Sequence, residues 1–330
     1  MDSVTMDNSV VSHKPEKRKM SSSRKKKIIF FFLMTAPFLL QAAIFYVYVN
    51  ISTIGLAFLE YHLGPTGDVS TFVWFKNFAF VFDIIKSPAG IEMILVSLLM
   101  YGFILLVVTP VVIFFSFYIY KRYFLSSFFR VILFMPQIIS GVVYVRLYKM
   151  MLGPISGQLF GFDVFGSTDT TAKLIALIAY VFWTGFGTNI LLMSGAMSGI
   201  DDSVVEACYL DGCNMTKEFI FVTLPSIYPT ITTFIVLDLT TIFTNTMNMH
   251  MFFGNNSPIK SVGYYMEINM LFTKGLYDPP KTDNSIVNPN ETKYLLYPQL
   301  AALGLMITIT VAPLCILVRK FMERVGPSED

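Results

Sequence analysis

Long apolar runs, separated by short polar or basic stretches, dominate the hydrophobic pattern of this chain. Several runs exceed the roughly 18–20 residues that a helix needs to cross a bilayer. The pattern therefore predicts an all-α integral membrane protein with six transmembrane helices. The predicted helices cover residues 28–49, 93–118, 128–148, 174–197, 226–247 and 299–318.

Composition excludes a soluble protein, because 54% of the residues are hydrophobic and only 14% are charged. The net charge of +2 hides a basic cluster in residues 1–27, directly before the first apolar run. Positive residues favour the cytoplasmic side of a span. We therefore interpret residues 1–27 as a disordered, basic, cytoplasmic tail and not as a nucleic-acid contact. Arg319 and Lys320 likewise predict a cytoplasmic C-terminus.

This pattern divides the chain into four predicted parts. They are the tail 1–27, a first helix with an external segment at 28–90, a core at 91–320 that contains a loop at 201–225, and a cytoplasmic tail at 321–330. Within residues 50–90 we expect interfacial helices.

Chemistry-bearing residues are sparse. Cys208, Cys213 and Cys315 predict no disulfide framework, and the three histidines have no metal-ligand spacing. The sequence contains no phosphate-binding Gly-x-x-x-x-Gly-Lys-Ser/Thr loop. We therefore expect no cofactor or metal on this chain and no enzymatic activity. Any use of ATP would require another chain.

The loop at 201–225 has a distinct local pattern. The stretch from Ser203 to Glu206 fits a capping box that starts a short helix. Gly212, after Asp211, is suited to a left-handed helix end, and Asn214 can cap a second helix. Leu224 and Pro225 then break the chain before the next apolar run. The sequence predicts a helix, a glycine bend and a helix, which on its own is also compatible with a simple capped loop.

At these residues the chain resembles the permease subunits of ABC importers. Their signature is Glu-Ala-Ala, three residues, Gly, nine residues, Ile, one residue, Leu-Pro. Cys208 replaces the second Ala and Val222 replaces the Ile. In that family the bend is a cytoplasmic coupling loop that docks into a groove on a separate ATPase subunit. The resemblance implies a permease-like fold of the type I importers, with coupling residues Glu206, Ala207, Cys208, Asp211, Gly212, Leu224 and Pro225.

The stretches Phe128–Met151 and Tyr180–Gly199, the second of which leads into the signature, carry a weaker resemblance over roughly residues 90–320. It is to sugar permeases of the maltose and glycerol-phosphate type. It implies a prokaryotic cytoplasmic membrane, a sugar substrate and a heterodimer with a second homologous permease. It also implies two ATPase subunits that hold ATP and Mg, and an extracellular solute-binding protein. The acids of the 201–225 loop depart from the positive-inside rule, and docking against basic groups of a partner would explain them.

The fifth apolar run carries polar residues that recur at helical spacing. An acid inside a span normally faces a protein interior or an aqueous cavity. Carboxylate, amide and hydroxyl groups are also the hydrogen-bond partners that a polyhydroxylated ligand needs. The stripe either lines a substrate path or bonds to a partner subunit. Its members are Asp238, Thr241, Asn245 and Asn248.

Trp183 and Asn189 in the fourth run are further candidates for the substrate path. A Trp ring offers an apolar face to a sugar, although it also serves as packing or as an interface anchor. Other functions stay open. One is an importer for amino acids, phosphate or metal. Another is a secondary transporter with Asp238 at a coupling-ion site. The chain shows no clear inverted repeat, which speaks against this alternative. A membrane enzyme would need a catalytic cluster, which the sequence lacks.

Overall fold

The computed structural model describes residues 22–64, 67–161, 163–166, 169–255, 257–273 and 296–327. Over these ranges the protein is mostly helical, as predicted. Four helices in the described ranges are long and apolar enough to cross a membrane, and two bent helix pairs raise the number to six if each pair is one span. The four are Lys26–Leu56, Pro88–Tyr120, Thr170–Met197 and Tyr297–Val325.

The first compact unit ends at Thr53, near the end of one long helical segment. It runs through Ser22–Gln41, a π-helical stretch at Ala42–Tyr48, and Val49–Leu56. Because the helix begins at Ser22, the last residues of the predicted disordered tail are helical. Most of its described side chains are apolar and exposed, which is the pattern of a helix that contacts lipid. Residues 1–21 of that tail lie outside the described residues.

The second compact unit, 54–330, begins with an antiparallel β-hairpin where we expected only interfacial helices. Strand β1 (Leu59–Gly64) pairs with β2 (Gly67–Phe72). The buried amide of Asn77 donates to the carbonyl oxygens of Ala57 and Leu59 at 2.9 Å each. These bonds satisfy backbone groups at the base of the hairpin and fix it to the helix Lys76–Lys86.

The span Pro88–Tyr120 consists of Pro88–Phe103, a π-helical turn at Ile104–Val108, and Thr109–Tyr120. Ser87 caps it by accepting the N–H of Gly90 at 3.1 Å. Pro110 lacks an N–H and crowds the preceding turn, so the helix widens just before it. Pro110 thus disturbs the span in the form of a π-helical turn.

The predicted third span is two helices, Ser126–Ile138 and Gly141–Phe160, that meet at 112°. Pro136 lies in the last turn of the first helix, and Ile139 is extended. The predicted fifth span, 226–247, is shorter in the structure, because its helix ends at Thr240, and a bend precedes it. Met215–Ser226 and Tyr228–Thr240 meet at 64°, so the break expected after Leu224 and Pro225 lies at Ile227.

The remaining helices are Thr170–Thr184, Gly187–Met197, Asp202–Leu210, Met215–Glu218, the π-helical Phe219–Thr223, Leu224–Ser226, Tyr228–Thr240, Met249–Phe253, Val262–Thr273 and Leu296–Val325. The last helix runs beyond the predicted span end at 318, so the predicted C-terminal tail begins as helix. One buried cluster in this unit includes Leu177, Tyr180 and Phe252. A second includes Phe117, Ile190 and Ile227. Both clusters join residues that are distant in sequence.

Candidate functional site

Asp201, and not Ser203, caps the first helix of the predicted coupling loop, Asp202–Leu210. Oδ1 of Asp201 accepts the N–H of Ser203 at 2.9 Å. This bond to the ionised carboxylate lowers the pKa of Asp201. The predicted N-cap, Ser203, was therefore wrong by two residues. Asp201 and Ser203 are both good capping residues, and the local sequence does not decide between them. Glu206 lies inside the helix and is exposed.

The bend after this helix has the conformation that the sequence predicts. Gly212 has a φ of +77° and donates its N–H to the carbonyl oxygen of Tyr209 at 3.0 Å. Cys213 donates its N–H to the carbonyl oxygen of Cys208 at 2.9 Å. This pair of bonds is a Schellman motif, which uses a left-handed residue to end a helix. Asn214 caps the second helix through the N–H of Lys217 at 2.9 Å, as predicted.

Cys208 and Cys213 form a disulfide in the structure, with their Cα atoms 5.3 Å apart. The expectation of no disulfide was wrong. It rested on the number and spacing of the cysteines, whereas the Schellman bend brings residues five positions apart together.

Exposure separates the predicted coupling residues into two groups. Glu206, Ala207, Asp211 and Gly212 are exposed around the bend, whereas Cys208 is buried. Leu224 and Pro225 are half-buried, and Leu224 packs against the cluster that contains Ile227. The first group can contact a partner, while Leu224 and Pro225 serve the packing and the chain direction.

Leu210 is a residue of this loop that the sequence reading missed. It is 89% exposed and is the last residue of the first helix, directly before the bend. The signal in the sequence was an apolar residue immediately before Asp211 and Gly212. A single exposed Leu is ordinary. One flanked by the carboxylates of Glu206 and Asp211 is suited to a groove with an apolar floor and a basic edge.

A second candidate site is a cavity of about 470 Å³ in the unit 54–330. This volume is in the usual range for small-molecule sites. The cavity brings together four of the six residues predicted for the substrate path, namely Asp238, Asn245, Asn248 and Asn189. Thr241 and Trp183 are exposed and do not belong to its lining.

The prediction that Asp238, Thr241, Asn245 and Asn248 share one face of a helix was wrong, because the helix ends at Thr240. Beyond it, Asn245 accepts the N–H of Met247 at 3.0 Å, and Asn248 adopts a φ of +54°. Short amide side chains compete with the helix in this way and tolerate the left-handed region. The turns that follow Thr240 direct Asn245 and Asn248 to the cavity that Asp238 also lines.

The cavity also has polar residues that the sequence reading missed. The amide of Asn248 donates to the hydroxyl oxygen of Tyr180 at 2.9 Å. The amide of Gln137 donates to the carbonyl oxygen of Thr184 at 3.2 Å, across the packed helices. A Cβ at Gly187 would lie 2.0 Å from Cγ of Gln137, so this approach requires glycine. The sequence signal was the interruption at Pro136 and Gln137.

The lining can offer a ligand carboxylate, amide and hydroxyl groups beside apolar side chains. Tyr144 and Tyr180 add ring faces next to Asp238 and the asparagines. Such a mixture suits a neutral polyhydroxylated molecule. Within the described residues, no group of three or more His, Cys, Asp or Glu side chains could hold a metal ion.

Bent membrane-length helices, a polar cavity and an exposed helix–glycine–helix loop define a membrane-spanning transport component. The family model described as "Binding-protein-dependent transport system inner membrane component" matches residues 109–329. Those residues include the coupling loop and the whole cavity lining apart from Ile104 and Val108. The chain belongs to this family.

The curated relatives include permeases of oligosaccharide transport systems and a probable ABC transporter permease. The probable ABC transporter permease MG188 of Mycoplasma genitalium is 28% identical, over 51% of this chain and 49% of its own length. The arabinooligosaccharides transport system permease of Bacillus subtilis is 24% identical, over 73% of this chain and 78% of its own. The galactooligosaccharides transport system permease of the same organism is 26% identical, over 41% of this chain and 34% of its own length. The chain thus matches about half or less of the first and third of these relatives.

A solved structure shares the fold. It is a bacterial ABC transporter involved in the import of the acidic polysaccharide alginate. The TM-score is 0.70 at 17% identity, over 92% of this chain and 99% of the other. The TM-score is 0.63 for a further structure, that of a bacterial alginate transporter in complex with a periplasmic protein that binds an alginate pentasaccharide. At this identity the similarity concerns the fold alone.

Proposed function

We propose that this chain is the transmembrane permease subunit of an ATP-driven importer that moves a carbohydrate across the cytoplasmic membrane of a bacterium. The observation that carries the proposal is the cavity shared by Asp238, Asn189, Asn245 and Asn248. Polar groups inside a membrane protein are costly and gather where a ligand or water passes. The names of the oligosaccharide-transporting relatives agree with a sugar as that ligand.

The electrostatic character of the cavity favours an uncharged carbohydrate. Asp238 is ionisable, and none of the described lining residues is Lys, Arg or His. An acidic sugar or a glycerol phosphate would bring its negative charge close to this carboxylate in a medium of low dielectric, without a counter-charge from this chain. The proposed substrate therefore differs from the acidic polysaccharide of the alginate transporter.

The proposed partners follow from what this chain lacks and what it exposes. Its sequence has no phosphate-binding loop, so ATP and Mg would be bound by two separate ATPase subunits. These subunits would dock on the exposed bend around Glu206, Leu210 and Gly212. A second, homologous permease would complete the cavity, and an extracellular binding protein would deliver the substrate. Both termini and the 201–225 loop would be cytoplasmic.

In the proposed cycle, ATP binding closes the ATPase subunits and moves the docked loop. This motion turns the cavity from inward-facing to outward-facing, and hydrolysis resets it. A ligand-driven transition of this kind requires that the two states bind ATP and substrate differently. The bend at Gly212 and the breaks at Ile227 and Ile139 are places where helices change direction around this path.

The test is uptake by the complete importer reconstituted in lipid vesicles with its binding protein. The panel contains lactose, a galactooligosaccharide, an arabinooligosaccharide and an alginate oligosaccharide, with an amino acid and inorganic phosphate as controls. We expect ATP-dependent uptake of at least one neutral sugar and no uptake of the alginate oligosaccharide. Uptake that persists without the ATPase subunits would indicate ion-coupled transport and refute the proposal.

A further inference from the structure

Glu218, the last residue of the second coupling helix Met215–Glu218, has a fully buried side chain. Its carboxylate forms an ion pair with the ammonium group of Lys121. It also accepts a hydrogen bond from the hydroxyl of Tyr209 at 2.6 Å. Burial removes the hydration of a carboxylate, so it needs both a counter-charge and hydrogen bonds. Two other segments of the chain supply them.

These three residues connect three elements. Lys121 directly follows the end of span 88–120. Tyr209 lies in the last turn of the first coupling helix, Asp202–Leu210, before the bend, and Glu218 lies after it. The contacts therefore attach both coupling helices to one end of span 88–120. We call Lys121, Tyr209 and Glu218 the loop–span link.

Aromatic rings surround the link. The ammonium of Lys121 lies 5.6 Å from the ring centre of Tyr209 and 5.3 Å from that of Tyr120. The rings of Phe117 and Phe219 pack beside it with their centres 4.8 Å apart. Rings exclude water and interact favourably with a cation. Charges in such a place attract each other strongly and tolerate little change in geometry.

The charge of Lys121 is secure at neutral pH. Burial lowers its pKa, but the hydrogen bond and the negative charge of Glu218 raise it by more, so that the pKa lies above its ordinary value. A group of this kind loses its stabilising charge only when the pH rises through the raised pKa. Lys121 therefore stays charged throughout the physiological range.

We propose that the loop–span link transmits movement of the coupling loop to span 88–120, an inference that rests on the proposed function. The bend at Gly212 joins the two coupling helices to each other, and neither of them is continuous with span 88–120. The link makes loop and span end move as one body. Span 88–120 also lines the cavity through Ile104 and Val108, so its displacement changes the substrate path. Tyr209 and Glu218 are positioning residues in this scheme.

The experiment compares Glu218→Gln and Tyr209→Phe in the complete importer in lipid vesicles. ATP hydrolysis is measured with and without the binding protein, loaded with the panel sugar that the unmodified importer takes up fastest. We expect both variants to assemble and to keep basal hydrolysis. Stimulation by the binding protein should fall about fivefold or more, the lower end of the range for coupled sites. Uptake per ATP hydrolysed should fall with it.

The matched control is Glu323→Gln. The carboxylate of Glu323 also pairs with a basic side chain, that of Arg319 at 2.6 Å, but this pair is exposed. Exposed pairs contribute little, so we expect normal stimulation.

The possible results of this experiment distinguish a role of the link in transmission from a purely structural role, and a failure of the inference from a failure of the proposed function. Normal stimulation in either assembled variant overturns the inference, as does an equal loss of basal and stimulated hydrolysis. If Glu218→Gln does not assemble, Tyr209→Phe decides, because this half-exposed side chain loses only its hydroxyl and leaves the ion pair intact. An unmodified importer that the loaded binding protein fails to stimulate would refute the proposed function itself, and the inference with it.

Discussion

The N–H of Cys213 donates to the carbonyl oxygen of Cys208 at 2.9 Å, and the same bend brings their Cα atoms to 5.3 Å. Backbone bonds and the left-handed Gly212 hold this approach, so the two sulfur atoms stay close when they are reduced. A cytosolic environment keeps most thiols reduced, and disulfides that form there are usually transient. The proximity is thus a property of the bend and not of oxidation.

We predict that mild oxidation of the purified importer forms the Cys208–Cys213 disulfide within one chain. Maleimide labelling and intact-mass measurement should show two reactive thiols lost, and dithiothreitol should restore them. The third cysteine, Cys315, lies within the apolar membrane-spanning helix Leu296–Val325, so a water-soluble maleimide should not reach it. In the control Cys213→Ala, Cys208 has no neighbour to pair with and stays a thiol. Two free thiols, or disulfides between chains, in the oxidised unmodified protein would contradict this geometry.

Local chemistry explains which parts of the loop the sequence predicts. The bend at Gly212 and the cap at Asn214 depend on residues within five positions, and both are confirmed. The first cap was placed at Ser203 instead of Asp201, since neighbouring capping residues compete and the packing of the helix decides between them. The disulfide was missed because the cysteine spacing was considered apart from the predicted bend, which brings Cys208 and Cys213 together.

The cavity shows the opposite case. Asp238 and Asn189 are recognisable because polar residues in apolar runs are costly. The contacts of Gln137 with Thr184 and Gly187 join residues about 50 positions apart and depend on how bent helices pack. A regular helical period predicted Thr241 as a lining residue, and that period ends with the helix at Thr240. Long-range packing, and not residue type, decides these positions.

Asp238 supplies the prediction that bears on the substrate path. Asp238→Asn keeps the shape of the side chain and removes its charge. A hydrogen bond to a charged group contributes about 1.5–3 kcal/mol, which corresponds to about tenfold or more in affinity. We expect uptake of the panel sugar to fall by about this factor, measured with radiolabelled sugar in vesicles, while the complex still assembles.

Thr241→Val is the matched control for Asp238→Asn. Thr241 follows Asp238 by less than one helical turn and bonds to its carbonyl oxygen at 3.0 Å, yet it lies outside the cavity. We expect normal uptake. If Asp238→Asn instead fails to assemble, Asp238 serves contacts with the partner permease. Unchanged uptake would remove it from the path.

Membrane topology can be tested with two exposed lysines. Lys217 lies in the loop that we place inside the cell. Lys260 lies between the fifth and sixth predicted spans, and with that loop inside, this segment is outside. A membrane-impermeant maleimide added to intact cells should label Lys260→Cys and not Lys217→Cys, in a background with Cys208 and Cys213 replaced by Ser. Both should react after the membrane is permeabilised. If Lys217→Cys were labelled from outside, the proposed orientation would be wrong, because the loop would lie on the opposite side of the membrane from any cytoplasmic ATPase.

The sharpest test of coupling uses Gly212 and Glu206. A side chain at Gly212 meets open space, so its strain comes only from the φ of +77°. Left-handed backbone costs a residue with a Cβ about 1–2 kcal/mol. Glu206 is exposed within its helix and does not cap it, so its truncation should cost still less. Neither change can unfold a protein of this size.

We therefore predict that Gly212→Val and Glu206→Ala insert and assemble, but lose most uptake and most stimulation of ATP hydrolysis by the loaded binding protein. The measurement is hydrolysis by the reconstituted importer with and without that protein. Gly195→Val is the matched control, since a Cβ at Gly195 also meets open space and its φ is not left-handed. Because Gly195 lies outside the loop, its variant should keep normal stimulation. Normal stimulation in both Gly212→Val and Glu206→Ala would contradict the prediction. It would show that the exposed residues of the bend do not couple the permease to the ATPase.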